Sequence, residues 1–191
     1  KKSMRIKTSK SYLLDDLRSI NLISPRTAEQ LNNFLSYRLA QNMGLLAPKT
    51  DLVRLYINGQ DRGIYILVEQ VKELTLRNNG WMPGDIYRGE IVGKDRFRQS
   101  GIDTLFNSPS VWDKVAVNNH YADDFNLPLK TLLALVNQSD KYQSQAQLAN
   151  LMDMEVWGRF SAYESLTQSK HADNSHNWRL YYDSWRGKFM P

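Results

Sequence analysis

The stretch that most restricts what this chain can become lies at residues 52–68. Leu52-Val53-Arg54-Leu55-Tyr56-Ile57 and Gly63-Ile64-Tyr65-Ile66-Leu67-Val68 are two β-rich runs, and Asn58-Gly59-Gln60-Asp61 stands between them. Two such runs joined by a short Asn-Gly loop predict a β-hairpin. Its second arm ends in Glu69-Gln70-Val71 and the charged Lys72-Glu73 follows, so the chain changes direction there, either as a bend between lobes or as an ordinary strand end. Residues 1–7 alternate basic side chains with Met4 and Ile6, which predicts a strand with one face buried and Arg5 and Lys7 on the other. Those two are candidates for touching phosphate, or they form a solvated face. Pro83-Gly84 is a turn signal, and Asp85-Ile86-Tyr87-Arg88 behind it reads as a short strand.

Ser24-Pro25 has the form of a helix start, a hydroxyl N-cap with proline at the first helical position, and Gly44 has the form of that helix's end. Leu31, Phe34, Leu35, Leu39 and Met43 keep to one stripe between them. Glu29, near the start, is either an ion-pair partner for a phosphate-holding base or an exposed first-turn glutamate. Residues 91–126 show little periodicity and much Asn, Asp, Ser and Gly, so irregular structure without a site is expected. Helical spacing resumes after Pro128 with Leu132, Leu133, Leu135 and Val136. It continues over 146–152, and over 153–168 with Val156, Trp157, Phe160 and Tyr163. The reading is α+β, mainly β with one packing helix over residues 1–90 and mainly α over 91–191.

The densest chemistry falls at the end of the last helical pattern. His171-Ala172-Asp173-Asn174-Ser175-His176-Asn177-Trp178 holds two of the chain's three histidines, a carboxylate and two carboxamides. Trp178, Leu180 and Tyr182 then alternate with Arg179 and Tyr181 in the period of a strand, and Asp183-Ser184-Trp185-Arg186-Gly187 turns into a returning Lys188-Phe189-Met190. Asp173 therefore sits at a helix-to-strand joint. Asn177 lies four residues on, close enough for an oxygen from each to face one cation or phosphate. The plainer reading is a polar turn in which Asp173, Asn174 and Ser175 hydrogen-bond their own backbone.

Composition narrows the function classes. A net charge of +5 suits an anionic partner, but the basic residues are spread and no basic-aromatic platform appears, which disfavours nucleic acid. The chain has no cysteine, which excludes disulfides, thiolate metal sites and cysteine nucleophiles. No run approaches the roughly 18 apolar residues of a membrane helix. The chain begins at Lys1 and stops at Pro191 in mid-pattern, so it is expected to be a piece of a longer protein.

Four features, in this order, resemble the CotH kinase family, which is named after a spore coat protein and related in fold to protein kinases. They are Ser19-Ile20-Asn21-Leu22 after a basic strand; Val53 to Gly59 continuing through Gly63 to Val71; Asp85-Ile86-Tyr87-Arg88; and Asp173 to Asn177 leading into Leu180-Tyr181-Tyr182-Asp183. The resemblance implies a two-lobe atypical kinase, a mainly β lobe and a mainly α lobe with ATP between them. It further implies transfer of the γ-phosphoryl group to protein Ser or Thr hydroxyls, magnesium or manganese as the metal, and a place at the cell surface or outside the cell. By position, Asp173 looks like the catalytic aspartate and, with Asn177, a metal ligand; Glu69, Gln70 and Val71 look like the adenine-facing linker. Arg5, Lys7 or Arg88 would hold phosphates, with the choice open. Two departures stand out. His176 occupies the place of a basic helper, and the chain stops before the acidic segment that supplies the family's main metal carboxylate. Two alternatives keep the same residues: a catalytically degenerate kinase-like surface module, and a hydrolase with zinc or manganese on His171, Asp173 and His176.

Overall fold

A computed structural model describes residues 2–9, 11–25, 27, 31–91, 101–102, 104–116, 126–138, 140–169 and 172–191. The hairpin forms where the sequence puts it. Strand β3 (Thr50–Ile57) pairs antiparallel with β4 (Gln60–Glu69), with Ile57 opposite Gln60. Asn58 and Gly59 both take positive φ, 50° and 77°, the backbone that a two-residue reversal with right-handed strand twist requires. The register shifts between Leu55 and Tyr56, and there Asp61 Oδ1 accepts from the Gly63 N–H at 2.7 Å.

The chain divides into two compact units, Lys1–Trp81 and Met82–Pro191. In the first, β1 (Met4–Lys7) and β2 (Ser19–Ile23) complete an antiparallel sheet in the order β1-β2-β4-β3. Leu17, Ile20, Leu22 and Tyr65 form a buried cluster, with Met4, Val53, Leu55 and Leu67 packed against it. Because β1 is an edge strand, only Met4 of its two apolar residues reaches that cluster; Ile6 is exposed.

Helix α1 spans Asn32–Asn42, later than the Ser24-Pro25 signal suggests. Ser24 lies outside regular structure, and its N–H donates to Ser3 Oγ at 3.1 Å. Glu29 lies outside the described residues. Gly44 follows the helix at φ 70° as expected, but Leu35 is exposed, and Ala40 is the buried member of the helix. A short α2 (Glu73–Asn78) follows β4 and buries Leu76 completely.

The second unit carries its own antiparallel sheet, β6-β5-β7-β8: β5 (Asp85–Gly89), β6 (Trp112–Ala116), β7 (Trp178–Asp183) and β8 (Lys188–Met190). Helices α3 (Leu127–Asn137), α4 (Lys141–Leu151) and α5 (Met154–Thr167) accompany it. Among the described residues the chain is thus a mixed fold of two antiparallel sheets and five helices. Of the segment expected to be irregular, the described residues 104–116 are more regular than their composition suggests. Strand β6 forms there because Trp112 and Lys114 pair with Gly89 and Tyr87 of β5, a long-range partnership that polar neighbours hide. The second half is accordingly less purely α than its periodicity implies. Its core joins Tyr87, Leu180 and Phe189 of the sheet to Leu129, Leu132 and Leu133 of α3 and to Leu105, Val111 and Trp112.

At Gly89 the Trp112 ring takes the space of a side chain. A Cβ there would lie 2.8 Å from Trp112 Cζ3 and 3.0 Å from Leu105 Cδ1. Gly89→Ala is expected to lower stability by ~1–3 kcal/mol through overpacking, read as a lower midpoint in chemical denaturation. No helix among the described residues is long and apolar enough to cross a membrane.

Candidate functional site

Helix α5 ends with Gln168 in the left-handed conformation, and β7 begins at Trp178. Between them the backbone of the Asp173 loop is tied down at three successive carbonyls. Asp173 O accepts from the Trp178 indole N–H at 2.8 Å. Asn174 O accepts from the Leu105 N–H at 2.7 Å, and Ser175 O from the Ile91 N–H at 2.8 Å. Trp178 is itself wedged among aromatic rings, with Phe106 edge-on at 5.6 Å and Trp157 at 6.2 Å between centroids. The aromatic helix and the polar loop are therefore one construction, with the packed indole fixing the aspartate's main chain.

Asp173 is exposed, yet its carboxylate is not loose. Oδ1 accepts from Ser175 N–H at 2.8 Å, Ser175 Oγ at 2.8 Å and His176 N–H at 3.0 Å, and lies 2.7 Å from His176 Nδ1. The Ser175 N–H and hydroxyl, followed by His176, hold the carboxyl far below its ordinary value of 3.8. The group is an anion at any physiological pH. The turn-forming reading of Asp173 is seen directly: Oδ1 closes the turn, and Oδ2 takes no part in these bonds. Asn177, also exposed, takes φ 66° at the step into β7, a conformation that asparagine tolerates better than most residues. His171 lies outside the described residues.

The linker candidates sit at the end of β4. Glu69 is buried: Oε2 accepts from the Lys49 N–H at 3.0 Å and Oε1 from the Thr75 hydroxyl at 2.9 Å, while Thr75 Oγ1 accepts from the Lys72 N–H. Its side chain thereby ties β3, β4 and α2 together. Gln70 donates its N–H to Ser19 O at 2.9 Å, and Val71 stands half-buried outside strand and helix.

Burial pushes the Glu69 carboxyl above its ordinary 4.5, against the opposing pull of the Lys49 N–H and the Thr75 hydroxyl. The folded chain therefore holds this proton more tightly than the unfolded one. The associated stability is greatest below pH 4.5 and falls as pH rises through the elevated value. Glu69→Gln, which cannot ionise, is expected to flatten that fall, measured as denaturation midpoints across the mildly acidic range.

The phosphate candidates are dispersed. Arg5 Nε donates to Asn21 Oδ1 at 3.1 Å on the exposed edge strand, and Lys7 is exposed on the same strand. In the second unit Arg88 Nη2 meets Asp113 Oδ2 at 2.6 Å, and Arg88 stands opposite Arg179 in the β5–β7 register. Asp85, one of the four residues in the short strand signal, is buried with its Oδ2 2.8 Å from Lys114 Nζ and 3.4 Å from the Tyr87 hydroxyl.

A family model described as CotH kinase protein matches residues 1–191, the whole chain. The chain belongs to the CotH kinase family. No curated protein matches it. In this CotH kinase chain the residues of the Asp173 loop, and those at the end of β4, are each gathered and fixed within their own unit.

The donor chemistry agrees with the divalent ion that a kinase family suggests. Asp173 and Asn177 offer oxygen, which suits magnesium or manganese. Magnesium commonly takes one or two carboxylates and completes its shell with water and substrate phosphates. Among the described residues no cluster of three or more His, Cys, Asp or Glu forms an all-protein metal cage. Sequence reasoning passed over the pairing of Ser175 and His176 with a single oxygen, although an aspartate two residues before a serine is the ordinary signal for such a turn. It also passed over Lys114, for which no local signal exists.

Proposed function

We propose that this CotH kinase family member transfers the γ-phosphoryl group of ATP to a hydroxyl of a protein substrate, with Asp173 as the catalytic carboxylate. The observation that carries the reading is an exposed aspartate whose carboxylate and main chain are both hydrogen-bonded at a helix-to-strand joint, in a chain matched by the family along its whole length.

Phosphoryl transfer passes through a loose transition state, so positioning and charge neutralisation supply most of the catalysis. Asp173 accepts a hydrogen bond from the acceptor hydroxyl and aims its oxygen at the γ-phosphorus. As the new P–O bond forms, the bond from the γ-phosphorus to the β–γ bridging oxygen breaks, ADP leaves, and the hydroxyl proton passes to Asp173. A carboxylate of such low basicity takes that proton late, which suits a reaction whose nucleophile needs little activation. Asp173 and Asn177 would hold magnesium or manganese, which supplies neutralisation of the phosphate charge. Gln70 and Val71 serve as the adenine-facing backbone, with Glu69 as the brace behind it. Arg88 is the favoured phosphate holder of the second unit, and Arg5 and Lys7 those of the first.

Calorimetry with ATP in the presence and absence of magnesium or manganese tests the reading. Saturable nucleotide binding that depends on the ion is expected. No binding under either condition identifies a degenerate module, and tight metal binding without nucleotide identifies a hydrolase.

A further inference from the structure

The two oxygens of Asp173 have unequal surroundings. Two backbone N–H groups, the Ser175 hydroxyl and His176 Nδ1 all converge on Oδ1, more donors than its lone pairs can serve in ideal directions. No bond among the described residues is directed at Oδ2. We propose that Ser175 and His176 are positioning residues for Asp173, occupying Oδ1 so that Oδ2 alone meets the acceptor hydroxyl; this rests on the phosphotransferase reading.

The hydrogen positions follow from the chemistry of an ionised carboxylate, which only accepts. The Ser175 hydroxyl therefore points its hydrogen at Oδ1, and His176 carries a hydrogen on Nδ1. The 3.3 Å contact between Ser175 Oγ and His176 Nδ1 then has the serine oxygen sharing the ring N–H. Hydroxyl and imidazole lock each other as well as the carboxylate. A freely rotating carboxylate offers either oxygen and a range of angles to the nucleophile; this one offers a single oxygen in a single direction, as transfer in line with the leaving group demands. Because the loop's main chain is held by Trp178, Leu105 and Ile91, removing the imidazole leaves the loop in place and withdraws one of the four donors that fix the carboxylate.

The test uses the full-length protein and γ-labelled ATP with magnesium or manganese, reading label on the protein and release of inorganic phosphate. His176→Ala is expected to lower kcat roughly 10–100-fold, the usual cost of losing an orienting partner, with KM for ATP unchanged. His176→Asn places an amide N–H near the lost Nδ1–H and is expected to restore most of that loss. Equal losses in the two variants, or a rise in KM with kcat intact, would overturn the proposal.

A second readout needs no catalysis. Nitrogen–proton correlation of the imidazole ring in the metal-free protein is expected to find a hydrogen on Nδ1 that disappears from the spectrum's protected set in Asp173→Ala. An unprotonated Nδ1 overturns the assignment. If the unaltered protein transfers no label while the Nδ1 hydrogen is present, the phosphotransferase reading fails and the carboxylate clamp stands.

Discussion

Asp173→Asn is expected to reduce phosphoryl transfer by roughly 10²–10⁴-fold, the range a positioned proton acceptor supplies, while leaving thermal stability near that of the unaltered protein. The asparagine carbonyl can still accept from Ser175 and His176 in place of Oδ1, so the turn survives. What it lacks is the second anionic oxygen. Asp173→Ala should lose as much activity and in addition loosen the turn, because Ser175 and His176 then have no acceptor. Comparing the two separates chemistry from scaffolding: equal activity loss with unequal loop order supports the carboxylate as the reacting group. Asparagine retaining transfer would mean that hydrogen-bonding shape, and not charge, is what residue 173 contributes. The measurement is label transfer from ATP alongside thermal denaturation of each variant.

The second large effect lies at the ion pair between β5 and β6. Lys114 Nζ stands 2.8 Å from Asp85 Oδ2 and 5.3 Å over the Tyr87 ring, with both charged side chains almost wholly withdrawn from water. Lys114→Met keeps much of the volume and removes the cation, leaving Asp85 as a buried charge with weakened compensation. The expected cost is ~3–5 kcal/mol, the range for breaking such a pair from one side. Replacing both partners, Asp85→Leu with Lys114→Met, should recover most of that loss, since desolvating the pair offsets much of its attraction. Urea denaturation of the single and double variants decides it. A single variant close to the parent would place the pair among surface-like contacts. The Tyr87 hydroxyl, held above its ordinary range first by burial and then by the Asp85 charge, gives a local check: losing Asp85 should bring its ionisation closer to that of free tyrosine.

The hairpin at residues 52–68 could be read in advance because its information is local: Asn58-Gly59 suits a backbone with two positive φ values, and the arms need only β-rich runs. The loop at Asp173 was legible for the same reason, since a short acidic side chain reaches the N–H two residues on. What escaped was long-range. Ser24 looks like a cap, but it stands outside regular structure and its N–H donates to the Ser3 hydroxyl just ahead of β1. Strand β6 forms by pairing with β5, where Gly89 leaves room for the Trp112 ring, which no window around Trp112 reveals. The anchoring of Asp173 by Trp178, Leu105 and Ile91, and the choice of Oδ1 for the clamp, depend on segments that meet only in the folded unit. Family resemblance named candidate site residues where periodicity alone left a polar turn and a catalytic loop equally open.

The most direct test of the central claim compares ATP labelled on the γ-phosphorus with ATP labelled on the α-phosphorus, using full-length protein, magnesium or manganese, and a mixed protein acceptor. Transfer of a γ-phosphoryl group by Asp173 predicts label on protein hydroxyls from the first nucleotide only, and its loss in Asp173→Asn. Label from the α-position, or γ-label undiminished in Asp173→Asn, would contradict the account.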